Sequence, residues 1–269
     1  MAWFMGIDIG FGSSKGVITD NCKPRAYHLI PSRADYRLAA SKLIDKLLLE
    51  SGLSRQDIVS CITTGHDAGI SGQQASDIRC CARGINSLLP QVRTIIDVQG
   101  MSSQVIRLNE AGQVIGFAVS EKCAAGSGRF LETVANILRV ELKDIGPLAL
   151  KSKNPVTFST ECAVFGESEV ISRVAEGTAK EDILAGVHRA LANKLSALAS
   201  RTGLMEPCAI SGGGGLDAGL IRSLEDKLGL RLLVPAQPQF TNALGAAIIA
   251  EQEYKGALGS SGKIQTLRR

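Results

Sequence analysis

Short apolar runs alternate along this chain with longer stretches in which apolar residues recur at helical spacing. Phe4-Met5-Gly6-Ile7-Asp8-Ile9 reads as a buried strand, and Val17-Ile18 belongs to a second strand returning from a small-residue turn. A helix is expected over about 35–51, a strand over 58–63 and a helix over about 73–88. Strands resume at Thr94–Val98, continue through Val105-Ile106 and return over Val114–Val119 after the turn Asn109–Gln113. Helices follow at about 128–139, 162–175 and 181–202, then a strand at 207–211, a helix at 217–228, a strand at 231–234 and a final helix from about 240. The plan of strands, helix, strand, helix occurs twice, a duplication of architecture rather than of sequence. It predicts an α/β protein of two lobes: residues 1–93, completed by a C-terminal helix 240–254, and residues 94–239. Gly256, Gly259, Ser260, Ser261 and Gly262 predict a flexible tail over 255–269.

Composition narrows the function classes. With 269 residues, 45% apolar and 21% charged, the chain can bury a sizeable core. Its net charge of +4 comes without a Lys/Arg block, so nucleic acid is not an expected partner. No apolar run reaches the roughly 18 residues of a membrane span, so no membrane role is expected. Seven cysteines, an odd number without disulfide spacing or a leader, suggest a reducing cytoplasm.

Glycine-rich turns at three places suggest phosphate binding. In the first, strand Met5–Ile9 runs into Gly10-Phe11-Gly12-Ser13-Ser14-Lys15 before the second strand. Glycines let backbone N–H groups face an anion, Asp8 would organise a hydrated Mg²⁺, and Lys15 would neutralise phosphate charge. This is not a Walker loop, which needs Gly-Lys-Ser/Thr opening a helix. The second place, Asp97-Val98-Gln99-Gly100-Met101-Ser102, repeats the plan of strand, Asp, small-residue turn and strand. The third is Gly212-Gly213-Gly214-Gly215, entered from an apolar strand and left into an amphipathic helix, which favours close approach to a ligand over a flexible linker. Small residues along one face of 240–250 suit tight packing at a domain hinge.

Two cysteines stand apart. Cys123 precedes Gly126, Gly128 and a helical spacing from Phe130, and Cys162 follows Thr160, a good N-cap, at the start of another expected helix. Helix N-termini lower a thiol's pKa and favour anionic groups. Two thiolates are half the set of four that a cubic iron–sulfur cluster takes, and a symmetric pair of chains would supply four. On spacing alone, ordinary buried cysteines remain the plainer alternative. Cys22, Cys61 and Cys208 read as packing residues, and Cys80-Cys81, neighbours on a helix, point about 100° apart, poorly placed to share a ligand.

In this order and spacing, Asp8-x-Gly10, Asp97-x-x-Gly100 and Gly212–Gly215 resemble the two phosphate segments and the adenosine segment of the actin, sugar-kinase and heat-shock-chaperone ATPase superfamily. Within it, Lys122-Cys123-Ala124-Ala125-Gly126-Ser127-Gly128-Arg129-Phe130 and Ser159-Thr160-Glu161-Cys162-Ala163-Val164-Phe165-Gly166-Glu167-Ser168-Glu169 resemble the cysteine segments of the 2-hydroxyacyl-CoA dehydratase activator and benzoyl-CoA reductase ATPase-subunit family. The family's Thr is Ser127 here, and its Ala is Gly166. The resemblance spans residues 4–250. It implies two ribonuclease-H-like lobes in the actin-like ATPase fold, with ATP or ADP and Mg²⁺ in the cleft between them. Asp8 and Asp97 would be the catalytic residues, and Gly10, Gly12, Ser13, Ser14, Lys15, Gln99, Gly100 and Gly212–Gly215 the nucleotide-binding ones. It further implies a 4Fe–4S cluster shared across a homodimer, or a heterodimer with a related ATPase subunit, through Cys123 and Cys162 of each chain. ATP would then drive one electron from a ferredoxin- or flavodoxin-like donor into an acceptor metalloenzyme with its own iron–sulfur cluster, as in anaerobic metabolism.

The chain departs from this pattern at a telling place. The family's second phosphate segment usually reads Asp-Ile-Gly-Gly-Gln-Asp-x-Lys, and here Gln99, Met101, Ser102 and Gln104 stand for Gly, Gln, Asp and Lys. Thr64-Gly65-His66-Asp67 likewise departs from Thr-Gly-Tyr-Gly-Arg. Nucleotide binding is therefore expected to persist while hydrolysis is slowed, altered or partner-dependent. Two alternatives follow: an ATPase-family subunit acting as an electron-transfer or maturation partner, and a small-molecule kinase of the same superfamily, which would need a catalytic Asp beside an acceptor hydroxyl.

Overall fold

The first apolar run forms β1 (Trp3–Ile9), and its alternation assigns its two faces. Met5, Ile7 and Ile9 enter one hydrophobic cluster, Phe4 another, and Gly6 and Asp8 share the face of Phe4. The structure is a computed structural model describing residues 2–32, 34–69, 73–120, 127–158 and 163–266, with the backbone alone for 163–165 and 259–266. The chain divides into two units: Met1–Pro90 with Phe240–Arg269, and Gln91–Gln239.

In the first unit β1, β2 (Ser13–Asp20) and β3 (Lys23–Pro31) form an antiparallel meander, and β4 (Ile58–Gly65) pairs parallel with β1, giving the order β3-β2-β1-β4. The turn between β2 and β3 places Asn21 and Cys22 at φ of 50° and 58°, the left-handed pair that tight hairpins use. Helix α1 (Tyr36–Ser51) lays Leu43 and Leu47 over Met5, Ile7, Ile9 and Ile18. The other face is covered by α2 (Asp77–Leu88) and α8 (Thr241–Thr266), with Phe4, Ile62, Cys80, Ala246 and Ile249 between them. The small residues of α8 pack inside this unit. A Cβ on Gly6 would overlap the Ala243 carbonyl, one on Gly84 the Thr241 carbonyl, and one on Gly245 the Cys80 carbonyl, so α8 rests on the bare backbone of β1 and α2. Glu251, buried on α8, accepts the Cys22 N–H at 2.7 Å and pairs with Lys255, tying the helix to the β2–β3 turn.

The helix over 73–88 starts at Asp77, because the Ser76 hydroxyl caps it by accepting the Arg79 N–H. Helix α8 runs through Thr266, into the stretch 255–269 expected as a flexible tail. Once the buried part of a helix is nucleated, each further residue adds a hydrogen bond at little cost, even where glycines lower the propensity.

The second unit repeats the sheet plan. β5 (Thr94–Val98), β6 (Ser103–Leu108) and β7 (Val114–Val119) form the meander, and β8 (Cys208–Gly212) pairs parallel with β5 and then with β9 (Leu232–Leu233), in the order β7-β6-β5-β8-β9. Helices α3 (Gly128–Leu138), α4 (Ile145–Ala149), α5 (Ala163–Ala175), α6 (Lys180–Thr202) and α7 (Ala218–Leu228) complete it. Leu184, Val187, Leu191 and Leu195 of α6 pack with Ile96, Val98, Val105 and Ile210 of the sheet in its core. Among the described residues no helix is long and apolar enough to cross a membrane.

Candidate functional site

The two units carry equivalent carboxylate-centred hairpins. In the first, Asp8 lies opposite Lys15 across the β1–β2 hairpin and opposite Thr64 on β4. Asp8 is buried, and Lys15 Nζ lies 3.3 Å from its Oδ2. A Cβ on Gly10 would come within 2.7 Å of the Ser13 carbonyl and 2.8 Å of Lys15 Nζ, so glycine is needed for the lysine to reach the carboxylate. The turn is gripped from behind. Ser32 donates its hydroxyl to the Gly10 carbonyl at 2.6 Å and its N–H to the Gly12 carbonyl at 3.1 Å, and Ser14 Oγ lies 2.9 Å from Ser32 Oγ. Ser14 is thus spent on the hairpin, whereas Gly12 is exposed. Gly65, at the end of β4, takes φ +80°, and a Cβ there would collide with the Ile9 carbonyl and lie 3.1 Å from Asp8 Oδ1. His66 donates its backbone N–H to the same Ile9 carbonyl at 2.9 Å, places Nδ1 3.1 Å from it and stacks on Tyr36 at 4.6 Å between centroids. Asp77, at the start of α2, accepts from the Thr64 hydroxyl at 2.5 Å and the Gly65 N–H at 2.9 Å.

In the second unit Asp97, fully buried, lies opposite Gln104 on β6 and Ser211 on β8. Its Oδ2 accepts from Gln99 Nε2 at 2.7 Å and Gln104 Nε2 at 2.9 Å. Gln104 occupies the register position that Lys15 holds in the first unit, and Gln99 the position of Gly10. Gly212, the counterpart of Gly65, takes φ +75°, and a Cβ there would collide with the Val98 carbonyl and lie 2.8 Å from Asp97 Oδ1. Gly213–Leu216 then form a 3-10 turn. A Cβ on Gly214 would meet Val98 at 2.5 Å and one on Gly215 would meet Pro238 at 2.6 Å, whereas one on Gly213 would meet nothing within 4 Å. Gly214 and Gly215 are therefore glycine for packing, whereas Gly213 presents open, exposed backbone. Behind this turn Asp217 caps α7 by accepting the Gly219 and Leu220 N–H groups at 2.9 and 3.1 Å, and its Oδ2 lies 2.7 Å from Nε2 of the fully buried His188.

Cys123 and Cys162, with Lys122 and Thr160, lie outside the described residues. Around them, α3 begins at Gly128 behind the buried Ser127, and α5 begins at Ala163. Among the described residues Cys22, Cys61, Cys80, Cys81 and Cys208 form no disulfide, and Cys80, Cys81 and Cys208 are buried. Burial pushes the Cys61 thiol up to about 11, Cys80 to about 12 and Cys208 to about 11, so all three stay protonated near neutral pH and make poor ligands. Among the described residues no group of three or more His, Cys, Asp or Glu side chains could hold a metal ion. The structure thus brings together Asp8, Gly10 and Lys15 in one unit and Asp97, Gln99 and Gly212–Gly215 in the other. Sequence reasoning missed four of the groups that hold them, Ser32, Asp77, His188 and Asp217, and read Gln104, which lies as far beyond Asp97 as Lys15 lies beyond Asp8, only as a departure from the family's lysine.

A meander, a parallel crossover strand and a carboxylate hairpin, made twice, define an actin-like ATPase or sugar-kinase fold. A ROK family glucokinase from Streptomyces griseus, solved with glucose and AMPPNP, shares it at 13% identity, with a TM-score of 0.56 over 93% of this chain and 100% of that one. The chain belongs to the BadF/BadG/BcrA/BcrD ATPase family, whose model matches residues 5–250. It is 37% identical over 254 residues to the 2-hydroxyisocaproyl-CoA dehydratase activator of Clostridioides difficile, covering 93% of this chain and 96% of the relative. The solved structure of that activator with bound ADPNP superposes with a TM-score of 0.90 at 36% identity, over 96% of this chain and 97% of that one. The (R)-2-hydroxyglutaryl-CoA dehydratase component A of Acidaminococcus fermentans superposes with a TM-score of 0.90 at 34% identity, over 94% and 99%.

Proposed function

We propose that this protein is an ATP-dependent reductive activator, a dimeric iron–sulfur ATPase that passes single low-potential electrons to a partner metalloenzyme of the 2-hydroxyacyl-CoA dehydratase or benzoyl-CoA reductase type. The observation that carries the reading is the twice-made hairpin, a buried Asp faced by a left-handed glycine, in a chain whose relatives activate dehydratases. Lys15 and the turn of Gly10 and the exposed Gly12 serve the nucleotide phosphates, Asp8 holds the water shell of Mg²⁺, and Gly213 leaves room for the nucleoside. A 4Fe–4S cluster held by Cys123 and Cys162 of two chains would supply the one-electron step. The high thiol pKa values of Cys61, Cys80 and Cys208 leave those residues unsuited to the task, in keeping with this ligand set. A ferredoxin- or flavodoxin-like donor in the cytoplasm would reload the cluster. Nucleotide can drive such a transfer only through unequal affinity for two conformations.

The test is anaerobic purification with iron and sulfide analysis beside the Cys123→Ala and Cys162→Ala proteins. About four irons per dimer, lost in both variants, is the expected result; a dimer purified iron-free under those conditions would refute the cluster. One observation favours a second reading, a subunit with weakened hydrolysis acting as an electron-transfer or maturation partner. Asp97 is held by two neutral carboxamides where the first unit sets a lysine against Asp8. Steady ATP turnover by the isolated chain at the rate of its relatives would dismiss that reading.

A further inference from the structure

Gln99 is held at both its side chain and its backbone. The side-chain amide donates to Asp97 Oδ2 at 2.7 Å. The backbone N–H donates to the Ser102 carbonyl at 3.0 Å, closing the turn, and the backbone carbonyl accepts the Gly128 N–H at 2.8 Å. The next carbonyl, that of Gly100, accepts the Arg129 N–H at 2.9 Å. Gly128 and Arg129 are the first residues of α3, whose leading N–H groups have no partner within their own helix. The turn after Asp97 therefore serves as the cap of α3. Its approach is close, since a Cβ on Gly128 would stand 3.2 Å from the Gln99 carbonyl.

The first unit has no such link at the equivalent position. There Gly10 carries no side chain, Lys15 reaches Asp8 across the hairpin, and the Gly10 carbonyl accepts from a serine hydroxyl in the loop after β3. In the second unit Gln104 supplies the cross-strand donor and Gln99 adds another that the first hairpin lacks. Since Asp97 is fully buried, its orientation is set by these donors rather than by water. A carboxylate that turned toward an arriving phosphate-bound cation would release or drag the Gln99 amide. The same residue's carbonyl would then shift against the first turn of α3.

We propose that Gln99 is a positioning residue that ties the carboxylate of Asp97 to the first turn of α3, the helix that follows Cys123. The inference rests on the nucleotide reading above for its purpose, although the link itself can be probed without nucleotide. Hydrogen exchange at the Gly128 and Arg129 amides is the readout. In nucleotide-free protein, Gln99→Ala and the isosteric Gln99→Glu, which sets a like charge against Asp97, should speed that exchange roughly tenfold. Gln104→Ala removes a second donor to Asp97 without altering the Gln99 and Gly100 carbonyls that cap α3, and should leave the exchange within about twofold of wild type. A general loss of stability would move exchange throughout the unit, so the β8 amides serve as the internal control. Adding Mg²⁺ and ADPNP should change exchange over 127–130 in wild type. In Gln99→Ala, at an analogue concentration that calorimetry shows to be saturating for that variant, the local response should be absent. Unchanged nucleotide-free exchange in both Gln99 variants would overturn the inference, as would an unaltered response to the analogue in Gln99→Ala. Failure of the wild-type protein to bind the analogue would instead overturn the nucleotide reading, leaving the nucleotide-free comparison to decide the role of Gln99.

Discussion

Asp217 satisfies three donors with two oxygens, capping α7 with Oδ1 and facing the His188 imidazole with Oδ2. Gly146 and Gly219 are glycine because of this pair: a Cβ on Gly146 would collide with Asp217 Oδ1, and one on Gly219 would stand 3.0 Å from the His188 ring. The other ring nitrogen of His188 is buried without a hydrogen-bond partner among the described residues, so Asp217 is what makes the burial of that imidazole tolerable. Asp217→Ala should remove a cap worth about 1 kcal/mol and leave a buried polar group unpaired at about 1–3 kcal/mol, so a loss of roughly 2–4 kcal/mol is expected. Asp217→Asn keeps an oxygen for the cap and should lose about half as much. Urea unfolding followed by far-UV circular dichroism checks both; equal losses would mean that a neutral amide recovers nothing and that the whole contribution rests on the carboxylate's charge.

Helix α8 illustrates how an element can gain from residues that weaken helices. Gly245→Ala would ordinarily steady a helix interior by about 1 kcal/mol. Here the new methyl would overlap the Cys80 carbonyl of α2, so a net loss of about 1–3 kcal/mol is expected instead, read from the thermal midpoint. A rise in that midpoint would show that α2 yields without cost. The small-residue face of α8 was readable in the sequence, but the backbones that it touches were not, because they lie near the other end of the chain. The same distinction runs through the other elements. The long apolar periodicity of α6 and the short runs of β1 and β5 were plain. The strand β3 was not, since Lys23-Pro24-Arg25-Ala26-Tyr27-His28 mixes polar and apolar residues as an edge strand does. The helix α4 is too short for any period to show. Within the site, Asp8 and Lys15 were legible because one hairpin joins them. Ser32, His66 and Asp77 come to that hairpin from distant segments through ordinary-looking residues, and nothing local marks a serine that will hold a glycine carbonyl.

At the scale of the whole molecule, the buried thiols set a boundary on the alkaline side. Cys61, Cys80 and Cys208 are pushed from 9.0 to about 11, about 12 and about 11, chiefly by burial. Above pH 9 the unfolded chain gives up protons that the folded chain retains, so stability falls as pH rises through the interval up to these values, by up to about 1.4 kcal/mol per pH unit for each thiol. Below that interval these groups contribute no pH dependence. The urea midpoint should therefore hold between about pH 7 and pH 8.5 and drop by about pH 10.5, less steeply in Cys208→Ala. An identical slope in that variant would remove Cys208 from the account. The division of the chain also carries a temporal consequence. The second unit is continuous from Gln91 to Gln239, whereas the first begins with β1 and receives α8 only afterwards. On a ribosome the Asp97 turn can close over a finished core while the Phe4 and Gly6 face of β1 still waits for its cover. One face of the earliest-made strand is thus among the last surfaces to be buried, and a nascent chain passes through a stage with one carboxylate hairpin complete and the other not yet roofed.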